Sequence, residues 1–394
     1  MTRTPHTPDS PAPTELLART PTSRRTFLVN AAFAGGVAAF LAACGSDDDA
    51  GSTDGTTAAT SGGTAAPTPA ATEGSTAASP TAGSAPAAVL GTVRTAFNWT
   101  VDVEWSAWNL ADSQGLFAQR GVEVEFVHGG PNTPAVAQVL AAGDADIGVA
   151  SDELQLIKAN AEGTDFVILG AMYQRSPSGF CWLADTPIAT AADLVGKKLG
   201  LTTGDEIRVD ALFKINGLEP DYETIPMSFD PQPLIDGEAD AITCYVTNQP
   251  IQLALRGIEA KSAPFSDFGL KAFGDVIFAS KTYVDANRDL VVAYLAGLIA
   301  GIEANVADPE AVIPLLTDVY GKDVEIDVEY SKAGNPAYIA LLDSAWTETN
   351  GYLSIDPAYL EGEVYPSYEA AGETGLPPVA ELLDATLVAD AHSS

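Results

Sequence analysis

Between residues 93 and 263 the sequence alternates short apolar runs with helix-length amphipathic stretches, and it does so twice. Residues 93–99, 122–128, 145–150 and 166–173 have the length and β-branched content of strands. Residues 105–118, 133–142 and 152–161 between them carry a helical period. Strand and helix in strict alternation predict a parallel sheet with helices on both faces. Gly121, Gly143 and Gly163 fall just after the predicted helices, where residues that end a helix belong. After Thr190 the rhythm restarts, with strands over 198–202, 223–227, 241–246 and 259–263 and helices over 206–216, 231–236 and 249–256. Residues 180–185 and 265–278 are apolar enough to be strands connecting the two units. From Asp289 the chain reads as helices over 290–305, 310–320, 328–350 and 357–371.

A chain that builds one α/β lobe, crosses to a second and then returns crosses twice. The expected fold is therefore two-lobed α/β, with parallel-dominated sheets joined by two crossing strands and a helical C-terminal part. Residues 89–180 form the first part of lobe one, 181–265 form lobe two, and 266–394 return to lobe one with the helical tail. Two crossings make a hinge, and the cleft between lobes is a natural ligand site. In open α/β sheets that site lies beyond the carboxyl ends of the strands.

The first 88 residues carry a different signal. Arg24-Arg25 is followed by an apolar stretch and then by Leu41-Ala42-Ala43-Cys44-Gly45. A twin-arginine pair, an apolar segment and a small-residue cleavage pattern before Cys read as a bacterial lipoprotein export signal over 1–43, with Cys44 receiving the lipid. A permanent transmembrane anchor fits less well, because residues 26–43 are rich in Ala and Gly and contain Asn30. From Gly45 to about Ala88 the chain holds Ser, Thr, Gly, Ala, Pro, Asp and one Glu, without Lys, Arg or an aromatic residue. Such a segment cannot bury enough apolar surface to offset its ordering entropy, so 44–88 is expected to be a flexible tether reaching roughly 35 Å. The expected location is the extracytoplasmic face of a bacterial membrane.

Composition narrows the partners. The chain carries 19 Lys and Arg against 53 Asp and Glu, a formal net charge of −34. So negative a chain is a poor match to nucleic acid or anionic lipid. With Cys44 assigned to lipid, Cys181 and Cys244 remain, both in apolar runs. They are expected as buried free thiols, although an exported chain permits a disulfide. His128 is the single histidine of the body, since His6 lies in the signal and His392 in the tail.

Several segments carry a family pattern: Asn98-Trp99, Gly115-Leu116-Phe117 with Gly121-Val122-Glu123-Val124, Gly129-Gly130-Pro131-Asn132, and Ala142-Gly143-Asp144-Ala145-Asp146-Ile147-Gly148. Further along come Asp193-Leu194-Val195-Gly196-Lys197-Lys198-Leu199-Gly200, Leu234-Ile235-Asp236-Gly237-Glu238-Ala239-Asp240-Ala241 and Tyr245-Val246-Thr247-Asn248-Gln249-Pro250. In order and spacing the chain resembles ABC-importer solute-binding proteins of the periplasmic-binding-protein fold (type II-like). The branch is the SsuA/ThiY-like one of alkanesulfonate and thiamine-pyrimidine-precursor binders, which also includes riboflavin-binding members. The resemblance covers roughly residues 93–278. It implies a monomer that captures a small molecule and delivers it to an ABC permease.

Candidate ligand residues are those at predicted strand ends. Trp99 closes the first strand and could stack on a planar ligand. Trp108 reads as packing, and Trp105 fits either role. Gly130 and Asn132 lie in a turn where missing Cβ atoms let backbone approach a ligand. Asp152 opens a helix, as a ligand carboxylate or as a cap. Tyr173 and Gln174 end the strand before the first crossing. Tyr245 offers a ring face, and Asn248 either caps the next helix or faces the cleft. Asp205 and Asp267 are weaker candidates.

An enzyme is the competing class, because the resemblance extends to eukaryotic thiamine-pyrimidine synthases of the same fold, which use a histidine and a cysteine-rich iron segment. This chain has no clustered cysteines, and His128 alone cannot complete a metal site. No Gly-x-Ser-x-Gly elbow, HExxH or P-loop is present. The expectation is a binding protein with no catalytic residue, metal or cofactor. Its ligand is expected to be an aromatic heterocycle, a thiamine pyrimidine precursor or riboflavin, rather than an alkanesulfonate or nitrate, because few basic residues other than Arg175 and Arg208 lie near the strand ends.

Overall fold

A computed structural model describes residues 88–130, 133–202 and 204–394. The export signal, Cys44, the tether through residue 87 and Asn132 lie outside the described residues.

Ten strands form two five-stranded sheets. The first contains β1 (Gly91–Phe97), β2 (Val122–Val127), β3 (Ile147–Ala150), β4 (Phe166–Tyr173) and β10 (Gly274–Ser280), in the order β2-β1-β3-β10-β4. The second contains β5 (Ser178–Leu183), β6 (Lys197–Leu201), β7 (Tyr222–Pro226), β8 (Ala241–Tyr245) and β9 (Ala260–Pro264), in the order β7-β6-β8-β5-β9. In each sheet the strands at one side pair parallel, as βαβ connections require, and the strand entering from the other lobe pairs antiparallel with its neighbours. The two sheets are thus mixed, and they repeat one topology.

The crossings are shorter than the sequence suggests. Residues 180–185 fall largely within β5, inside the second sheet. Residues 265–278 divide into a 3-10 turn at Phe265–Phe268, an irregular stretch and the start of β10. What passes between lobes is residues 174–177 and 265–273. These segments touch: the Ser176 N–H donates to Ala272 O at 2.9 Å. A Cβ built on Gly274 would lie 2.7 Å from Pro177 Cδ and 3.1 Å from Ser176 Cα, so this strand start needs glycine for close approach.

Helices α1 (Ser106–Ser113), α2 (Val136–Ala141) and α3 (Leu154–Ala161) cover the first sheet, and α4 (Glu206–Ile215), α5 (Gln232–Ile235) and α6 (Gln249–Leu255) the second. Gly121, Gly143 and Gly163 have φ of 77°, 80° and 108°, left-handed values that let the chain leave each preceding turn. Lys197 and Lys198 begin β6, one residue before the predicted strand start.

After α7 (Lys281–Ala286), α8 (Arg288–Ala307) is long and apolar enough to cross a membrane, yet it is a core helix with Leu295, Leu298 and Ile302 fully or almost fully buried. The stretch 328–350 is two helices, Val328–Ile339 and Ala345–Asn350. Ser344 stops continuation by accepting from the Thr347 N–H while the Thr347 side chain takes the Ser344 N–H. Two further helices, Val379–Leu382 and Ala385–His392, extend beyond the predicted tail. Tail residues Leu360, Val364 and Tyr368 share one core with Phe180, Leu199 and Phe213 of the second lobe, so the tail packs behind the hinge as well as against lobe one.

Candidate functional site

Between the lobes lies a cavity of about 410 Å³, within the range that holds small-molecule ligands. Lobe one supplies Asn98, Trp99, Glu104, Gly130 and Ser151 to its wall. Lobe two supplies Asp205, Arg208, Phe229, Thr243, Tyr245 and Asn248. Each of these lies at or just beyond a strand's carboxyl end or at the start of the following helix, apart from Glu104 in the turn before α1 and Thr243 in the middle of β8.

Local backbone geometry fixes Trp99. The Gly129 N–H donates to Trp99 O at 2.8 Å, and a Cβ on Gly129 would meet Phe97 O at 2.6 Å. The glycine therefore serves close packing of β2's exit against β1's exit, which holds the Trp99 loop. Across the cleft the Trp99 ring meets Phe229, with centroids 3.4 Å apart and planes at 52°. The Phe229 loop is held in turn by Gln249, whose Nε2 donates to Phe229 O at 3.3 Å while its Oε1 accepts from the Tyr245 N–H at 3.0 Å.

Arg208 on α4 reaches from lobe two to lobe one. Its Nε donates to Asp152 Oδ2 at 2.6 Å and its Nη1 to Asp205 Oδ1 at 2.8 Å. Asp205 Oδ2 also accepts from the Thr202 and Thr243 hydroxyls, at 2.5 and 2.6 Å. Burial by itself would ease loss of the guanidinium proton, but the charges of Asp152 and Asp205 outweigh it and hold the pKa above its ordinary value. Arg208 is thus an ionised group already neutralised twice, and its cluster carries a net negative charge.

A second acidic group lies beneath the cleft. Glu104 and Asp275 are buried in lobe one, and the Tyr245 hydroxyl of lobe two donates to Asp275 Oδ1 at 3.2 Å. Burial, followed by the neighbouring charges of Asp275 and Asp102, pushes the Glu104 carboxyl well above its usual range. Asp275 is raised by burial as well.

The candidates read from sequence divide. Trp99, Gly130, Tyr245 and Asn248 lie on the cavity wall. Asp152 meets the cleft through Arg208 and also accepts weakly from the Gln155 N–H at 3.4 Å. Tyr173 does not reach the cavity: it is fully buried and stacks on Tyr338, with centroids 6.2 Å apart. Gln174 turns away as well, its Nε2 donating to Ser354 O at 2.7 Å. Asn248 makes no side-chain cap; its Oδ1 accepts from Gln252 Nε2 at 2.6 Å.

Trp105 is a packing residue, fully buried with Nε1 donating to Thr100 O, and Trp108 likewise donates to the Tyr294 hydroxyl. His128 stacks on Phe97, and burial lowers its pKa to about 4, so it is neutral. Cys181 and Cys244 are buried free thiols. Among the described residues no group of three or more His, Cys, Asp or Glu is arranged to hold a metal. Sequence reasoning missed Phe229 and Glu104. The signals were present: an aromatic residue soon after a strand end, and an acid inside the otherwise apolar Val103-Glu104-Trp105 run.

With this geometry in place, comparison with known proteins is informative. Residues 105–312 match the family model described as NMT1/THI5 like. The riboflavin-binding protein RibY of Chloroflexus aurantiacus is 26% identical over 247 residues, 60% of this chain and 69% of that protein. A protein named for thiamine biosynthesis in Haemophilus influenzae is 26% identical over 291 residues, 72% of this chain and 87% of that one. Among solved structures, the alkanesulfonate-binding protein SsuA from Xanthomonas axonopodis pv. citri, bound to MOPS, superposes with a TM-score of 0.54 at 20% identity, covering 76% of this chain and 99% of its own. The periplasmic aliphatic sulphonate binding protein SsuA from Escherichia coli does so with 0.53 at 18%, covering 74% and 96%. At those identities the likeness is one of fold. Since the family model spans more than half of the sequence, the chain belongs to the NMT1/THI5-like family and has the two-lobed fold of periplasmic binding proteins.

Proposed function

We propose that this protein is an extracytoplasmic solute-binding lipoprotein of an ABC importer, tethered through lipid on Cys44, that captures a small aromatic heterocycle between its lobes. The observation that carries this reading is the pair of aromatic rings, Trp99 from one lobe and Phe229 from the other, facing each other across the cleft. The rings touch in this structure, so a planar ligand enters between them only as the lobes part; once there it gains stacking on both faces, about 0.5–1.5 kcal/mol per pair beyond area burial. Binding that bridges two lobes favours the closed arrangement, which a permease can distinguish from the open one.

Charge supports a heterocycle over a sulfonate or nitrate. The cationic side chain on the cavity wall, Arg208, is already paired with two carboxylates, and Glu104 adds acidity. An incoming anion would meet a guanidinium whose charge is already balanced by two carboxylates. The names of the two curated relatives, one for riboflavin and one for thiamine biosynthesis, agree with an aromatic ligand.

A thermal-shift screen of the exported chain against pyrimidines, flavins and sulfonates tests the proposal. Stabilisation by a heterocycle and none by taurine or MOPS is expected. Stabilisation by sulfonates alone would overturn the ligand class.

A further inference from the structure

The two lobes are fastened together at a point that the ligand cavity does not reach. Asp152 of lobe one is buried and takes no part in the cavity wall. It lines a separate void of about 10 Å³, room for at most about one water. Arg208 of lobe two, Ser176 and Ala272 of the two crossing segments and Tyr368 of the tail share that void. Here Arg208 Nε donates to Asp152 Oδ2 at 2.6 Å, with the two side chains only 15% and 6% exposed. A short, dry ion pair between lobes therefore sits against the hinge.

Each end of the pair is anchored on its own side. Arg208 also donates to Asp205, three residues before it, and Asp205 is fixed by the Thr202 and Thr243 hydroxyls. That assembly lies wholly within lobe two. At the other end the residue after Asp152 is tied twice. Glu153 accepts from the Phe273 N–H of the second crossing segment at 3.1 Å and from the Tyr368 hydroxyl at 2.7 Å. Among the described residues, the other partner of the Asp152 carboxylate is the Gln155 N–H, at a weak 3.4 Å. In this chain of contacts the bond that joins lobe one to lobe two is Arg208 to Asp152.

We propose that Arg208 and Asp152 form an ionic latch at the hinge, which sets the balance between closed and open lobes independently of what fills the cleft. The inference rests on the two-lobed fold and not on the choice of ligand. Parting the lobes breaks a charge-assisted hydrogen bond but rehydrates Asp152, which offsets part of the loss. The surplus favours closure by about tenfold. A ligand enters only as the lobes part, so the strength of the latch governs how readily the cleft admits one.

Trp99 is a built-in reporter, because its ring meets Phe229 of the other lobe across the cleft. Fluorine NMR of the full chain carrying 5-fluorotryptophan, with no ligand added, tests the latch. Trp99→Phe identifies the Trp99 line, and relaxation dispersion gives the open fraction. Asp152→Asn should raise that fraction about tenfold and move Trp99 towards its solvent-exposed shift. Arg208→Lys, which keeps the charge but loses the planar fork, should do the same. The double variant should open no further than the more open single one, because both substitutions remove one bond. Trp105 and Trp108, buried in lobe one, and Trp182, buried in lobe two, should keep their lines. An unchanged Trp99 line in both single variants, or additive effects in the double variant, would overturn the latch. Shifts of the three buried tryptophans as large as that of Trp99 in both variants would overturn it too, since the pair would then serve the fold of the lobes rather than their closure.

Discussion

At the scale of single residues, burial decides which acids stay protonated. Glu153 is fully buried at the start of α3, its Oε1 accepting from the Tyr368 hydroxyl at 2.7 Å and its Oε2 from the Phe273 N–H at 3.1 Å. Burial, reinforced by the charge of Asp152, raises its pKa to about 8 against the opposing hydrogen bonds. The unfolded chain releases this proton near the ordinary carboxyl value of about 4.3. Stability drawn from the protonated form is therefore complete below that value and is lost as pH rises towards 8. Glu153→Gln keeps a neutral group at every pH and can donate to Tyr368. Its melting temperature relative to wild type should rise steadily between about pH 5 and pH 9, by an amount on the order of a few kcal/mol in stability. A pH-independent difference would refute the assignment. Trp99 and Tyr245 were legible as site residues because strand ends are visible in sequence. Glu104 and Tyr173 were not, because which side of a strand or turn faces a cleft is settled by packing between distant segments.

At the scale of elements, the strands other than β10 were found within a residue or two because their apolar runs are short and sharply bounded. Their order was not readable: β10 enters between β3 and β4 only because the chain has left the first lobe and returned. The split of 328–350 was hidden as well, since one capping exchange at Ser344 outweighs a continuous helical pattern. Close helix crossing is another such feature. A Cβ on Gly301 of α8 would lie 2.2 Å from Ala107 O and 2.8 Å from Ala111 Cβ of α1, whereas one on Gly362 would meet nothing within 4 Å. Helix propensity alone favours alanine over glycine by about 1 kcal/mol at both positions. Packing reverses the sign at the first. Chemical denaturation should show Gly301→Ala destabilised by about 1–3 kcal/mol and Gly362→Ala unchanged or slightly stabilised. A stabilised Gly301→Ala would mean that the two helices do not meet as described.

At the scale of the whole molecule, the two lobes communicate through a few polar and aromatic contacts over the cleft and two short segments behind it. Arg208 with Asp152, Trp99 with Phe229 and Tyr245 with Asp275 each join one lobe to the other. If Trp99 and Phe229 hold the ligand as proposed, removing either ring weakens its grip. Affinity for 4-amino-2-methylpyrimidine and riboflavin, measured by calorimetry on the wild type, Trp99→Ala and Phe229→Ala, therefore tests the central claim most directly. A ring held between the lobes predicts that each substitution weakens the bound heterocycle by about tenfold or more. Unchanged affinity in both variants would contradict it.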